Sequence, residues 1–96
     1  MLIKAGVDIS RLERNTRRSL SKVAFIYSEA RELFIITSTY EGNHGEGSLH
    51  YANQAYDVRQ PDDGKLLIFA KIKKALGSDF DVVLGRTYYH IDYDPK

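Results

Sequence analysis

Two of the three histidines in this chain stand among residues that could bind a metal ion. His50 lies in the segment SLHYANQAYD, which ends at Asp57, and His90 lies in the later segment YYHIDYDP. Two imidazoles and one carboxylate are a common ligand set for a catalytic zinc ion, which keeps a fourth position open for water or substrate. The chain has no cysteine, so disulfides and thiolate zinc sites are both excluded. By residue type, His50, Asp57 and His90 are candidate ligands of Zn²⁺.

The same three residues also have an ordinary structural interpretation. His50 could be a loop residue, Asp57 a turn or capping residue, and His90 a half-buried strand residue. Because a single sequence with this spacing is compatible with both interpretations, spacing alone leaves the choice open.

The segment from Ser48 to Asp57 resembles a signature of zinc D-alanyl-D-alanine carboxypeptidases and endopeptidases, Ser-x-His-x-x-Gly-x-Ala-x-Asp. These enzymes form the peptidase M15 superfamily, which also contains the hedgehog signalling domain. Ser48, His50, Ala55 and Asp57 match the signature, whereas Asn53 stands where glycine is usual.

Two further segments carry the same resemblance. ITSTY at residues 36–40 resembles the family's Thr-Ser-Gly-Tyr strand end, and YHID at residues 89–92 resembles its final Trp-His-x-Glu/Asp segment. Together the matches span about residues 9–95 and most resemble short phage and bacterial members that consist of this domain alone.

The resemblance implies both a fold and an activity. It implies that His50, Asp57 and His90 bind Zn²⁺ and that Ser48 contacts the substrate. The implied reaction is hydrolysis of the stem peptides of peptidoglycan, in which the metal polarises the scissile carbonyl and supplies hydroxide. The implied fold is hedgehog/DD-peptidase-like.

Two departures from the family pattern bear on activity. Glu41 stands where members usually have an arginine that steadies the substrate carbonyl or the oxyanion. Members also have a catalytic carboxylate a few residues before the last histidine, whereas residues 85–89 here are GRTYY. Loss of a general base typically costs about 10²–10⁴-fold in rate. The sequence therefore predicts a protein that binds zinc well and turns over slowly.

Asp92 is the nearest carboxylate by sequence that could replace the missing base. Residues 90 and 92 of one strand point to the same face, so Asp92 is a candidate catalytic residue. The alternative is that Asp92 orients His90, because metal-ligating histidines nearly always have such a partner. Glu41 and Glu46, in the loop before His50, are further candidates for the base.

Three other residues could contact a substrate. His44 could bind it or polarise its carbonyl, and an exposed loop histidine is an equal alternative. Ser48 could contact it or simply occupy a loop-to-strand junction. Arg59 could anchor a substrate carboxylate or pair with Asp57 or Asp62.

Hydrophobic periodicity predicts the elements that position these residues. Residues 9–33 have a helical pattern with Ser10 or Asn15 as the cap. Residues 33–40 are typical of a strand buried on both faces, and residues 54–59 of a short strand.

The second half of the chain predicts a helix and a hairpin. The helix spans residues 65–76, ends at Gly77, and buries four side chains: Leu66, Phe69, Ile72 and Leu76. Strands at residues 80–84 and 87–93 would be joined by Gly85-Arg86 in a type II′ turn. This order of elements predicts an α+β fold with two main helices packed on a small, largely antiparallel sheet.

Length and composition bound the remaining expectations. Ninety-six residues are one domain, residues 1–96, and the net charge of +1 does not indicate a partner. The sequence has no apolar run long enough for a signal peptide or a membrane span of about 20 residues. We expect synthesis in the cytoplasm and action on the cell wall after release or as part of a phage particle. The expected state is a monomer that binds peptidoglycan stem peptides, with no nucleic acid and no membrane as partner.

Two other functions compete with the peptidase. A metal-stabilised binding or structural module, such as a phage particle component, would keep the ligands and lack the base. A nucleic-acid-binding module would depend only on one basic helix face, for which an ordinary solvated face is the alternative. That face comprises Arg11, Arg14, Arg18 and Lys22.

Overall fold

The computed structural model describes residues 1–39 and 54–95. The elements in these ranges are β1 (Leu2–Ile3), α1 (Arg14–Glu29), β2 (Ile35–Ser38), β3 (Ala55–Arg59), α2 (Lys65–Leu76), β4 (Phe80–Leu84) and β5 (Tyr88–Tyr93). The strands form one sheet in the order β1-β2-β3-β5-β4. Strand β1 pairs with β2 in parallel, and the other neighbours are antiparallel. The α+β class is confirmed, and β1 is a strand that the sequence pattern did not indicate.

Helix α1 begins later than the sequence pattern suggests. Residues 9–12 form a turn, closed by the bond from the Leu12 amide to the Ile9 carbonyl. Glu13 is the N-cap, and its carboxylate accepts a hydrogen bond from the Thr16 amide at 2.9 Å. The capping roles expected for Ser10 and Asn15 are therefore wrong, because a glutamate reaches the free amides first.

Helix α2 has the predicted bounds but a different buried face. It ends before Gly77, whose φ of 78° lies in the left-handed region favoured by glycine. Its buried side chains are Ile68, Ile72 and Leu76, which recur every four residues. Leu66 is 64% exposed, so its predicted burial is wrong. The reason is helical phase: two residues before Ile68 correspond to about 200° around the axis.

The connection between β4 and β5 is shifted by one residue from the predicted turn. The Gly85 amide donates to the Tyr88 carbonyl at 2.9 Å, so Arg86 and Thr87 are the central residues. Gly85 does not have a positive φ, which rules out the type II′ turn. A Cβ at Gly85 would lie 2.4 Å from the Tyr88 ring, so a larger residue here would require the exposed Tyr88 side chain to move.

Both helices pack against one face of the sheet, and the core lies between the two layers. Strand β2 shows the consequence: Ile36 points to the helices and is fully buried, whereas Ile35 and Thr37 are half-buried. The expected burial of this strand on both faces is wrong, because the helices of the described residues cover one face.

Buried tyrosines tie the helices to the sheet through their hydroxyl groups. Burial raises the pKa of each of these phenols, so they remain neutral donors. The hydrogen bonds are Tyr27 Oη to the Arg59 carbonyl at 2.5 Å, Tyr56 Oη with Ser19 Oγ at 2.6 Å, and Tyr89 Oη to the Lys65 carbonyl.

Candidate metal site

Strand alternation separates the core side chains from the candidate ligands. On β3, Tyr56 and Val58 enter the core, so Asp57 between them points to the face opposite the helices. On β5, Ile91 enters the core in the same way and His90 points to the opposite face. We call this second face of the sheet the site face. The antiparallel register places Asp57 directly opposite His90.

His90 lies between two carboxylates on the site face. Its Nδ1 is 2.8 Å from Asp57 Oδ1, and its Nε2 is 3.0 Å from Asp92 Oδ2. The Asp57 and His90 side chains are 26% and 28% exposed, whereas that of Asp92 is 5% exposed. The imidazole is thus held at both ring nitrogens, with its Asp57 side open to solvent and its Asp92 side enclosed.

The two carboxylates determine the charge of His90 in the metal-free protein. Hydrogen bonds to Asp57 and then to Asp92 raise the pKa of His90 to about 9, and partial burial opposes this rise. Near neutral pH the ring is therefore an imidazolium that donates to both aspartates. A metal ion at Nδ1 would have to displace that proton.

The donor types at Asp57 and His90 fit a zinc ion. Imidazole nitrogen and carboxylate oxygen are ordinary zinc ligands, and two ligands of a tetrahedral site lie about 3.3 Å apart. The observed 2.8 Å is a hydrogen-bond distance and would open by about half an ångström around a metal. Asp92 at Nε2 matches the carboxylate that usually orients a metal-binding histidine through its other nitrogen.

A cavity of about 340 Å³ lies beside Asp57 on the site face. Its charged lining is Asp57 with two cations, Lys4 and Arg59, and its hydroxyl lining includes Thr37 and Tyr88. Lys4 is a residue that sequence reasoning missed. No local signal could have indicated it, because it reaches the cavity only through the position of β1 at the sheet edge.

Three aspartates form a second acidic group at the end of the site face. Asp81, Asp92 and Asp94 each place one carboxylate oxygen within 4.8 Å of the other two. A metal ion could be held there, and oxygen donors alone favour Mg²⁺, Ca²⁺ or Mn²⁺ over zinc. Acidic groups commonly lie this close without a metal, so the arrangement by itself is weak support for a bound ion.

The other predicted site residues divide into two groups. Arg59 lies on β3, two residues from Asp57, as the sequence suggested. Four predicted residues lie outside the described part of the chain, and their roles stay predictions: Glu41, His44, Glu46 and Ser48. The third expected ligand, His50, also lies outside it.

Comparisons of this chain with protein-family models, with curated proteins and with solved structures each find no match. Among the described residues, neither helix is long and apolar enough to cross a lipid bilayer.

Proposed function

We propose that this protein is a zinc-dependent peptidase of the M15 type that hydrolyses the stem peptides of peptidoglycan slowly. The observation that carries the proposal is the Asp57–His90 pair. Two residues that the family resemblance assigns to zinc, far apart in sequence, meet at 2.8 Å on the site face of the sheet. The proposal includes a hedgehog/DD-peptidase-like arrangement of the elements and His50 as the third ligand.

Each described residue has a stated role in this proposal. Asp57 and His90 Nδ1 hold the metal, and Asp92 fixes the ring by accepting the Nε2 proton. Zn²⁺ supplies Lewis acidity toward the scissile carbonyl and lowers the pKa of water to about 7. Lys4 and Arg59, beside the adjacent cavity, attract a substrate carboxylate.

Slow turnover follows from the position of the carboxylates. Asp92 is enclosed and hydrogen-bonded to His90 Nε2, a geometry that suits orientation of the ring better than proton transfer to a substrate. The stretch before His90, where the family has its catalytic carboxylate, is here the turn at Arg86 and Thr87. A peptidase with a metal and a poorly placed base should react, but slowly.

One observation favours the competing function, a binding or structural module such as a phage particle component. Both ring nitrogens of His90 are hydrogen-bonded, one to Asp57 and the other to Asp92, without a metal. Such a network can stabilise the sheet and need not have a catalytic role.

Zinc binding and hydrolysis should be measured on the same purified protein. We expect about one Zn²⁺ per chain. We also expect slow release of D-alanine or stem peptides from purified peptidoglycan that stops when a chelator is added. Asp57→Asn should stop the release and weaken zinc binding by more than about tenfold. Asp63→Asn, which removes an exposed carboxylate elsewhere, is the matched control.

The outcomes separate the two functions. Zinc binding without any chelator-sensitive release would support the metal-stabilised module and contradict the peptidase. Unchanged zinc affinity in Asp57→Asn would contradict the site itself. Fast release would show that a catalytic base is present and that the predicted slow turnover is wrong.

A further inference from the structure

The two helices carry a charge that the rest of the chain balances. Within their bounds stand eight basic residues and one acidic residue, Glu29, a net charge of +7. Because the whole chain has +1, the residues outside the helices carry −6. The basic residues are Arg14, Arg17, Arg18, Lys22, Lys65, Lys71, Lys73 and Lys74. Since both helices cover the same side of the sheet, their outer surface is one basic layer.

An apolar groove of about 690 Å³ runs between the two helices on this basic layer. Phe25 and Ile26 of α1 and Ala75 of α2 supply its apolar surface, and three lysines line it with them. None of the residues that line the groove is acidic. The lysines are Lys22, Lys71 and Lys74.

Large apolar side chains also project from the layer. Phe25 is 65% exposed, Leu66 64% and Leu67 62%. Leu67 lies one turn before Lys71, so it continues the stripe of α2 that borders the groove. Exposed apolar groups next to several lysines are the composition of a surface that binds the headgroup region of a membrane.

We infer that the basic layer binds the surface of an anionic lipid bilayer. The lysines would contact lipid phosphates, while Phe25 and Leu67 enter the boundary between headgroups and acyl chains. A broad anionic surface reaches cations along both helices at once, whereas a short acidic peptide in the groove would reach three lysines. Nucleic acid would neutralise the cations but leave Phe25, Leu66 and Leu67 in water. This inference revises the expectation of no membrane partner and is independent of the peptidase proposal.

Sedimentation with vesicles tests the inference on the full chain. One set of vesicles contains phosphatidylcholine with an equal part of phosphatidylglycerol, and the other contains phosphatidylcholine alone. We expect binding to the anionic vesicles only, with loss of binding at high salt. Absence of binding to the anionic vesicles at low salt would overturn the inference. Binding to an acidic peptide or to duplex DNA without binding to the vesicles would do the same.

Two double variants distinguish the effect of the basic layer on vesicle binding from the effect of the net charge of the protein. Lys71→Glu with Lys74→Glu should weaken vesicle binding by more than about tenfold. Arg31→Glu with Arg86→Glu makes the same change in net charge outside the helices and should weaken it by less than about threefold. Equal losses in the two double variants would show attraction by net charge alone and would overturn the assigned surface. All four side chains are exposed, and thermal unfolding checks that the variants fold.

Phe25 provides a direct probe of insertion. The chain has no tryptophan, so Phe25→Trp introduces a single fluorophore at the groove. Its emission should shift to the blue on anionic vesicles, and Phe25→Ser should weaken binding several-fold. An unshifted emission on vesicles that bind the protein would contradict insertion at this surface.

Discussion

The two faces of the central sheet differ in chemistry although the same strands build both. Toward the helices, β3 and β5 present fully buried side chains such as Val58 and Ile91. Toward the site face, the residues that precede them, Asp57 and His90, are partly exposed and hydrogen-bonded to each other. Because strand residues alternate, positions one residue apart can have unrelated roles. Substitutions at adjacent positions should therefore separate stability from ligand binding.

Substitutions on the core face, which packs against the helices, should change stability most. Ile91→Ala removes a fully buried side chain and leaves a cavity between β5 and the helices, so the free energy of unfolding should fall by about 2–5 kcal/mol. Urea denaturation measures this change. Val83→Ala on β4, where the side chain is 52% exposed, is the control and should cost less than about 1 kcal/mol. Similar losses in both variants would mean that the two faces are not distinct.

The next effect comes from the site face. Asp57→Asn keeps a group that can hydrogen-bond His90 but removes the anionic ligand. Zinc affinity measured by competitive chelation should fall by more than about tenfold, because Asp57 is a direct ligand in the proposed site. Metal-free unfolding near neutral pH should change by no more than about 1–2 kcal/mol, because the hydrogen bond to Asp57 is the main cause of the raised pKa of His90. A large loss of metal-free stability with intact zinc affinity would reverse the roles assigned to the two faces.

A smaller effect concerns pH in the metal-free protein. The pKa of His90 is about 9 in the folded state and ordinarily 6.5, so the folded state retains a proton that the unfolded state releases. The retained proton adds to the free energy of unfolding. This stabilisation is fully present below pH 6.5 and is lost as the pH rises through about 9. After allowance for the partly exposed ring, the loss is about 1–2 kcal/mol.

Unfolding experiments between pH 6 and 10 measure the pH effect, and His90→Gln should remove this part of the pH dependence. Saturating zinc should also flatten the profile, because the metal replaces the proton at Nδ1. A profile unchanged by His90→Gln would assign the titration to another group.

The smallest effect compares two adjacent tyrosines. Tyr89→Phe removes the hydroxyl that donates to the Lys65 carbonyl and should cost about 1 kcal/mol. Tyr88→Phe removes a hydroxyl from a side chain that is 38% exposed and should be nearly neutral in thermal unfolding. Equal costs would indicate that the Tyr89 hydrogen bond contributes nothing to the docking of α2.

The elements that depend on local chemistry could be predicted from the amino-acid sequence. The bounds of α2 follow from an apolar pattern that ends at Gly77, and the strand around Asp57 follows from alternating apolar residues. The same alternation indicated that residues 90 and 92 share a face, and both side chains now contact each other at 3.0 Å. These features depend only on the backbone geometry of a single segment, and that geometry is specified by residues close together in the sequence.

Which segments contact one another became clear from the three-dimensional fold. The pairing of Asp57 with His90 depends on the register of β3 against β5, and the approach of Lys4 to the same face depends on β1. The groove lined by Phe25 and Ala75 lies between two helices, and nothing in the sequence of either helix indicates that the other is its neighbour. Such contacts follow from how the layers pack to bury the core. This packing depends on the apolar faces of all the elements together, so no single segment specifies it.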